Sequence, residues 1–471
     1  MICCREKRMS RVALGKALQT SDLFLTHLKP SNFPKTYLSL AKLPKVSLLC
    51  AHYFFSFVLN SKQYFNYRPD CTQFIAIIIM RFGPAAVFFV AFPLLFDRAV
   101  AGDGSGEAKI GPGVREELED APSSGSEGGP AGVEVIITLE ENYEGTCAEL
   151  YPEIDVYYEY SFHACAGIIN TTEVLDNIAS NPLTTYIELD ELEELYGFEA
   201  AAVNAVNARK LLGTSVPLVG ADTRHSLGNA GAGVTVAVID SGIVGSHPNF
   251  PPGTIVEEAC FSRGYASATW FGGQCLDRWG FIGELEATGP GAAEEPWPGS
   301  AHGTHVAGII ASRGIVGDVG MAPAANIVAI RVCFDQGCAL SDILAGMDYV
   351  LGLDVDIVNL SLGGGGFAST CDRLEPAYFN AVNALLDDDI LTIAAAGNNG
   401  QPNGRGSFTS ISAPACLSNV VAVGMSDNMD NRNVFGDSNS LVDLFAPGTD
   451  IESSVFFGAV EKMTGTSMAS P

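Results

Sequence analysis

From Gly231 onward the chain alternates between two kinds of apolar pattern. Short, continuous apolar runs predict buried strands, and the amphipathic stretches between them predict helices. The predicted strands are residues 234–239, 327–332, 357–362, 390–396 and 420–423, and the predicted helices are residues 302–313, 340–351 and 377–386. This alternation predicts an α/β fold, with a doubly wound, mainly parallel sheet covered by helices on both faces. In such sheets functional groups collect at the carboxyl ends of the strands.

A smaller pattern precedes this region. Residues 133–139 and 185–189 are rich in β-branched side chains and predict strands, as does the region 157–169. Residues 172–180 predict a short amphipathic helix that ends at Asn181-Pro182. The order of these elements predicts a small α+β domain over residues 133–190. Residues 102–132, rich in Gly, Ser, Glu and Pro, predict a flexible linker in front of it.

The run from residue 74 to residue 96 is almost wholly apolar and has two interpretations. As one stretch it is long enough to be a signal anchor in a bilayer. Alternatively, translation starts at Met80, and residues 80–101 form a signal peptide that ends in the small-residue site Ala99-Val100-Ala101. We favour the second interpretation because that site is well placed. Residues 1–79 are then a basic leader that is not translated. Both interpretations send the body of the protein across a membrane. Secretion is the expectation, and a membrane-anchored protein is the alternative.

Charge is distributed unevenly over the 471 residues. The net charge is −28, yet residues 1–73 hold 11 of the 26 Lys and Arg and only 3 of the 54 acids. The body of the protein is therefore strongly acidic and repels nucleic acids and anionic membrane surfaces. We expect neither as a partner and interpret the acidity as a device for solubility.

The 12 cysteines fall into groups that suit an oxidising compartment. Four lie in residues 1–73, Cys147 and Cys165 follow, and six lie in the C-terminal half. Even numbers in the last two groups indicate disulfides. No Cys-x-x-Cys pair or Cys/His cluster has zinc spacing, so no structural zinc is expected.

Three short segments carry the candidate chemistry. Asp240 ends a predicted strand, His302-Gly303-Thr304-His305 opens a predicted helix, and Ser467 lies in a turn that begins at Gly465. Singly, these are a turn aspartate, core histidines and a Ser/Gly turn. The histidine pair lacks the Glu of the zinc motif His-Glu-x-x-His, which disfavours a metal site. Together, the order Asp, His, Ser matches one known order of a catalytic triad.

The three segments resemble the Asp, His and Ser boxes of the subtilisin-like serine proteases (subtilases). Residues 394–398, Ala-Ala-Ala-Gly-Asn, resemble the oxyanion-hole box of that family, residues 359–363 resemble its substrate-binding strand, and residues 320–323 resemble a turn of that family. The resemblance covers residues 231–471 and implies a catalytic domain over residues 216–471 that hydrolyses peptide bonds of protein or peptide substrates. It implies the triad Asp240, His302 and Ser467, an oxyanion hole made by Asn398 and Ser467, and substrate contacts at Ser361, Leu362, Gly363, Gly364, Ala396 and Gly397. The small residues favour broad specificity. No cofactor is needed for the chemistry, and structural calcium is a possibility to which no ligands are assigned.

Residues 133–190 resemble the inhibitory propeptide of the same family, in their opening strand, in Phe-His-Ala-Cys-Ala-Gly-Ile at 162–168 and in their last five residues. This resemblance implies a ferredoxin-like α+β domain and a zymogen. The propeptide then acts as an intramolecular inhibitor and is cut in a processing region, residues 191–215.

Two features depart from the family pattern. Asp240 and His302 are 62 positions apart, so much of residues 257–300 is expected to be an inserted loop, bridged by Cys260 and Cys275. The remaining cysteines imply the pairs Cys333–Cys338 and Cys371–Cys416, although sequence leaves the connectivity open. A long helix follows the Ser box in the family, so we expect the sequence to be a fragment whose catalytic domain is C-terminally incomplete. The rival interpretations are a non-catalytic binding or regulatory module, against which the filled triad argues, and a membrane-anchored protease.

Overall fold

A computed structural model describes most of the chain beyond residue 73. The described residues are 74–81, 87–94, 109–120, 132–195, 198–199, 212–261, 275–276, 282–284, 286–295, 300–334, 337–398 and 407–471. Residues 1–73 of the predicted leader, most of the linker 102–132 and most of the processing region 191–215 lie outside them. Contacts divide the chain into two units, residues 1–97 and residues 98–471.

The described part of the first unit is an antiparallel hairpin. Its strands are β1 (Phe74–Arg81) and β2 (Val87–Leu94), with Phe74 opposite Leu94 and Arg81 opposite Val87. They cover most of the apolar run interpreted above as a signal peptide or anchor, and that role stays a prediction. Among the described residues, no helix is both long enough and apolar enough to cross a membrane.

The second unit begins with a small module of one antiparallel sheet and three helices. Its elements are α1 (Val114–Asp120), β3 (Val133–Leu139), α2 (Cys147–Leu150), β4 (Asp155–Tyr160), β5 (Ala164–Ile169), α3 (Thr172–Ser180) and β6 (Thr184–Leu189). The strand order is β4-β5-β3-β6. The region 157–169, predicted as one strand region, is a hairpin of two strands. Its turn includes His163, which has a left-handed backbone conformation.

Local sequence explains the helices of this module. Thr171 caps α3 by accepting a hydrogen bond from the Val174 amide at 3.2 Å. In α2, Thr146 and Glu149 form a reciprocal capping box, which satisfies two backbone N–H groups at the helix start. The buried faces of β3, β5 and α3 form a separate apolar core.

The rest of the second unit contains the large sheet and its helices. The elements are β7 (Leu192–Leu195), β8 (Phe198–Glu199), α4 (Leu212–Leu218), α5 (Ala221–Ser226), β9 (Thr235–Asp240), β10 (Ile255–Phe261), β11 (Cys275–Leu276), β12 (Ile282–Glu284), β13 (Glu286–Thr288), α6 (His302–Ala311), β14 (Asn326–Arg331), β15 (Cys333–Phe334), β16 (Gly337–Ala339), α7 (Leu340–Val350), β17 (Ile357–Leu360), β18 (Leu362–Phe367), α8 (Pro376–Asp387), β19 (Leu391–Ala395), β20 (Ile411–Ala413), β21 (Val421–Ser426), β22 (Leu444–Pro447), β23 (Ile451–Ser454), β24 (Val460–Thr464) and α9 (Thr466–Ala469).

The large sheet has the order β13-β10-β14-β9-β17-β19-β21-β22. All its neighbours pair in parallel except β13, which is antiparallel to β10 at one edge. Alternate residues of β9 point into different cores. Ala237 and Ile239 join the core under α7 and α8, and Val236 and Val238 join the core under α6. The fold is therefore α/β with a mainly parallel sheet covered on both faces, as the sequence predicts.

One predicted strand ends early. Residues 357–362 were expected to form a single strand, but β17 ends at Leu360 and β18 begins at Leu362 in a different sheet. The chain leaves the large sheet at Ser361, whose buried side chain is held by hydrogen bonds described below. In that sheet β18 pairs with β7 and with β20.

Four disulfides lie among the described residues, each within one of the predicted cysteine groups. They are Cys147–Cys165, Cys260–Cys275, Cys333–Cys338 and Cys371–Cys416. The three pairs expected for the C-terminal half are confirmed.

Candidate active site

Asp240 and His302 meet at the carboxyl edge of the large sheet. Asp240 is the last residue of β9, His302 is the first residue of α6, and His302 Nδ1 lies 2.8 Å from Asp240 Oδ1. Both side chains are buried. A Cβ on Gly303 would lie 2.2 Å from the carbonyl oxygen of Gly242, so only glycine lets the helix approach the Asp240 turn this closely.

The surroundings of His302 favour its protonated form. Burial lowers the pKa of His302, but the negative charge of Asp240, the hydrogen bond to it and the charge of Glu295 outweigh burial, so the net pKa is raised. Asp240 Oδ1 also accepts the Ser241 amide at 2.7 Å. Because Asp240 accepts a hydrogen bond from Nδ1, the neutral imidazole carries its hydrogen there, and the other ring nitrogen, Nε2, has a lone pair.

Ser467 lies in the first turn of α9, which contacts α6. Its hydroxyl donates to the carbonyl oxygen of Ser361 at 2.7 Å, and Ser361 Oγ donates to the Ser467 carbonyl at 3.0 Å. These reciprocal bonds fasten the Ser467 turn to the end of β17. His302 Nε2 is buried and has no hydrogen-bond partner among the described residues. The three predicted residues are thus on adjoining elements. The Ser467 hydroxyl has a single hydrogen, and because it donates that hydrogen to Ser361, it does not donate to His302 Nε2.

The predicted oxyanion donor Asn398 is oriented by the residue before Ser467. Asn398 Oδ1 accepts from the amide and the hydroxyl of Thr466, each at 3.2 Å. Thr466 Oγ1 in turn accepts from the Gly397 amide at 3.2 Å. Gly397 has φ 109°, and a Cβ there would lie 2.5 Å from Ser412 Oγ, so the turn needs glycine. Ala396, which lies between the last residue of β19 and Gly397, is buried.

The predicted substrate strand already carries a partner. β7 pairs antiparallel with β18, with Leu195 opposite Leu362 and Glu194 opposite Gly363. The other edge of β7 pairs with β16. Beyond it, β8 pairs antiparallel with β24, which leads into the Ser467 turn. One stretch of chain therefore pairs both with the predicted substrate strand and with the strand that leads into the Ser467 turn. Residues 196–197 between β7 and β8 lie outside the described residues.

Three buried or half-buried carboxyls collect where the small module meets the catalytic part. Glu188 lies on β6 and accepts from the Ala377 amide at 3.2 Å, Glu193 lies on β7 against Gly364, and Glu375 precedes α8. Burial, and then repulsion from Glu375, hold the pKa of Glu188 and of Glu193 well above the usual range. Burial, and then repulsion from Glu191, raise the pKa of Glu375 to about 7. This contact is electrostatically costly when the carboxyls ionise.

Sequence reasoning missed two parts of the site. The first is β7, which pairs with the predicted substrate strand β18 although only a processing region was expected there. The second is Glu295, which is buried beside the Asp240–His302 pair and hydrogen-bonds to the residues that flank it. The pair Glu294-Glu295 upstream of the His box was the available signal, and the length of the loop hid its proximity.

Three other histidines have structural partners. His305 Nε2 donates to the carbonyl oxygens of Ile451 and Glu461 at 3.0 and 3.1 Å, and burial lowers the pKa of His305 to about 3. His247 bonds to the Ala459 carbonyl, and His225 bonds to the Met321 carbonyl. These bonds support the prediction that His302 is the reactive histidine of the pair.

One group of side chains has metal-ligand spacing among the described residues, namely Cys147, Glu159 and Cys165. The two cysteines form a disulfide, and Glu159 accepts from the amides of Cys147 and Ala148. These ligand atoms are therefore occupied by protein partners. The calcium expectation stays a prediction.

Comparison with known proteins decides the family. The model of the Subtilase family matches residues 231–471, about half of the chain, and this range includes Asp240, His302 and Ser467. The chain belongs to the subtilase family. It is accordingly a serine-type endopeptidase.

Three relatives illustrate the similarity. Subtilisin from Bacillus pumilus is 33% identical to this subtilase over 249 residues, which are 52% of this chain and 76% of the relative. Subtilisin E from Bacillus subtilis (strain 168) is 29% identical over 318 residues, 67% of this chain and 70% of the relative. Alkaline protease from Shouchella clausii is 29% identical over 321 residues, 68% of this chain and 69% of the relative. The last two matches are longer than the range 231–471 that the family model covers, so they extend upstream of residue 231.

Proposed function

We propose that this subtilase cuts peptide bonds with Asp240, His302 and Ser467 as its triad, and that it is made as a secreted zymogen. The observation that carries the triad is the buried 2.8 Å bond between His302 Nδ1 and Asp240 Oδ1 beside the Ser467 turn. A buried carboxylate on one ring nitrogen leaves the other nitrogen to act as a base.

In the proposed reaction the Ser467 hydroxyl turns from the Ser361 carbonyl to His302 Nε2. As Ser467 Oγ attacks the peptide carbonyl carbon, its proton passes to Nε2, and Asp240 stabilises the imidazolium. The proton then goes to the leaving amine as the C–N bond breaks, which forms an acyl-enzyme. Water deacylates Ser467 by the same route. With Asn398 Oδ1 engaged by Thr466, its amide nitrogen and the Ser467 N–H are the proposed oxyanion donors. No cofactor takes part.

The substrate binds as an extended strand. β18 pairs with β7 in the present structure, so its edge accepts an added strand through backbone groups. Such pairing supplies affinity with little sequence preference. Ser361, Leu362, Gly363, Gly364, Ala396 and Gly397 are the proposed substrate contacts, and their small side chains support broad specificity.

The small module is proposed to be the propeptide and intramolecular inhibitor. Tyr158 donates to Asp342 at 3.0 Å, and Tyr160 donates to the Ser341 carbonyl at 3.0 Å, so β4 is anchored on α7. β7 follows this module and covers the substrate strand. Because β7 pairs with β18 and β8 pairs with β24, the strand that leads into the Ser467 turn, the proposed cut falls between Leu195 and Phe198, inside the predicted processing region.

Four disulfides support a secreted protein, because such bonds persist in oxidising compartments. A cleaved signal peptide over residues 80–101 is the proposed route. N-terminal sequencing of the secreted product tests both cuts. A start at residue 102 in an uncut precursor, and a start between residues 196 and 198 in the mature enzyme, are expected. A product that retains residues 74–96 in membranes would indicate an anchor instead.

The triad is tested by labelling the full-length chain with a fluorophosphonate. Ser467→Ala is expected to abolish labelling, and Asp240→Asn to slow it strongly, while both variants stay folded. Labelling that persists in Ser467→Ala would refute the triad. A folded wild-type protein that neither labels nor cleaves casein would favour the non-catalytic module.

A further inference from the structure

Glu295, which is not a member of the proposed triad, has a buried carboxyl that links the turn after Asp240 to the helix that begins at His302. Glu295 lies between the Asp240 turn and the start of α6 and is only 3% exposed. The backbone positions it, since the Ile243 amide donates to the Ala293 carbonyl at 2.9 Å. Gly242 makes this approach possible, because a Cβ there would lie 2.7 Å from the Ala293 carbonyl oxygen.

Three hydroxyl groups are directed at this carboxyl. Ser241 Oγ donates to Glu295 Oε1 at 2.5 Å, and Thr304 Oγ1 donates to Glu295 Oε2 at 2.7 Å. Ser300 Oγ lies 3.5 Å from Oε1 and is a longer third donor. Both carboxyl oxygens are therefore used as acceptors, which is the arrangement of an ionised carboxylate.

Each of the three hydroxyls also receives a backbone N–H. The amide of Gly303 donates to Ser241 Oγ at 2.9 Å, that of Val244 to Thr304 Oγ1 at 2.9 Å and that of His302 to Ser300 Oγ at 3.2 Å. Helices leave their first N–H groups unsatisfied, and the N-cap residue Ala301 supplies no side-chain acceptor here. The hydroxyls of Ser241 and Ser300 take that role, while the hydroxyl of Thr304 ties Val244 to α6. Glu295 orients all three hydroxyls by accepting their hydrogens.

Glu295 also acts on His302 through its charge. The titratable groups that face it are Asp240 on β9 and His302 on α6; His305, one turn along α6, is neutral at physiological pH because burial lowers its pKa. The neighbouring Glu294 instead accepts from the Gly245 amide at 3.1 Å. Burial raises the pKa of Glu295 to about 7, although the bonds from Ser241 and Thr304 oppose the rise. Ionised Glu295 in turn helps to raise the pKa of His302.

We propose that Glu295 is a positioning residue of the reaction: its carboxylate orders the hydroxyls that hold the start of α6 against the Asp240 turn, and its charge helps set the pH at which His302 becomes a base. The proposal rests on the proposed triad. Glu295 joins Asp240 and His302 as a third ionisable group, and it does not touch the substrate, since it bonds to the Asp240 turn and to α6 rather than to β18.

The test is Glu295→Gln in the full-length chain, assayed after self-processing on a peptide substrate. The amide cannot accept at both ends, so one hydroxyl must turn away and His302 loses its alignment. We expect kcat to fall about tenfold or more, because small misplacements of catalytic groups are costly, while KM stays within about twofold. Loss of the negative charge lowers the pKa of His302, so the acid limb of kcat/KM moves to lower pH.

Matched variants separate position from charge. Glu295→Asp keeps the charge, so its acid limb stays near that of the wild type even where kcat falls. Glu294→Gln removes a neighbouring charge without touching the hydroxyls, so kcat and the limb stay unchanged. If Glu295→Gln does not fold, Thr304→Val removes one hydroxyl and no charge, and is expected to lower kcat with the limb in place.

The effect of Glu295 on the pKa of His302 can also be measured without any enzymatic activity. In full-length Ser467→Ala protein, NMR follows the titration of the His302 ring with and without Glu295→Gln. A lower midpoint in the double variant supports the proposal. An equal midpoint together with an unchanged kcat in Glu295→Gln would overturn it. A wild-type enzyme that fails to label with fluorophosphonate would sink the proposed triad, while the His302 titration would still report on Glu295.

Discussion

The carboxyl cluster between the small module and the catalytic part makes stability depend on pH. Glu375 is the member best suited to a test, because it precedes α8 and interacts with both Glu188 and Glu193. The perturbation is Glu375→Gln in full-length Ser467→Ala protein, which cannot process itself. Glutamine keeps the shape of the side chain and never ionises.

The magnitude follows from the shift of the Glu375 pKa from 4.5 to about 7. A rise of this size corresponds to an upper limit of about 3 kcal/mol. The pKa of Glu375 is higher in the folded protein than in the unfolded chain. The free energy of unfolding therefore has its full value below about pH 4.5, where this carboxyl is protonated in both states, and it falls as the pH rises to about 7. Glutamine avoids that loss and is expected to stabilise the protein at pH 8 but not at pH 4.5.

The assay is thermal unfolding at pH 4.5 and pH 8. A gain approaching 3 kcal/mol would raise Tm by about 4 °C at pH 8, because an unfolding entropy of about 2.1 cal/mol/K per residue over residues 98–471 amounts to about 0.8 kcal/mol/K. Hydrogen exchange of residues 192–195 should slow in the same variant, because the cluster lies against β7. Exposed Glu141 supplies the control: Glu141→Gln is expected to leave Tm almost unchanged at both pH values. An equal Tm shift at both pH values, or none at pH 8, would show that ionisation of Glu375 does not destabilise the folded protein.

Three further outcomes are expected. Asn398→Ala should lower kcat about a hundredfold or more with little change in KM, a magnitude that is taken from subtilisin itself rather than from this structure; steady-state kinetics of the processed enzyme check it. Replacing Cys371 and Cys416 by serine opens a loop of 45 residues and should cost about 4 kcal/mol by the chain-entropy relation, which denaturant unfolding measures. Tyr158→Phe removes a buried donor to Asp342 and should destabilise the uncut Ser467→Ala protein by about 1–3 kcal/mol, whereas an unchanged unfolding midpoint would contradict the anchoring of β4 on α7.

Much of the fold could be predicted because its signals are local. Continuous apolar runs located five of the eight strands of the large sheet to within a few residues, whereas β10, β13 and β22 were not predicted. The helix expected at residues 172–180 begins and ends where predicted. The Asp, His and Ser boxes lie at the ends of strands and helices, and their small residues are visible in the sequence. The end of β17 at Leu360 was missed, because Ser361 leaves the sheet to bond with Ser467, which is 106 positions away.

By itself, the sequence determined the α/β class, the alternation of strands with helices, the cysteine groups and the three candidate catalytic residues, since each depends on periodicity or on a short motif. Only the tertiary structure decided what surrounds them. It placed β7 on the substrate strand, brought Glu188, Glu193 and Glu375 together, and set Glu295 behind Asp240 and His302. These neighbours come from distant parts of the chain, and they meet because packing of the two cores fixes where the loops close. Burial then shifts their ionisation, which no local pattern encodes.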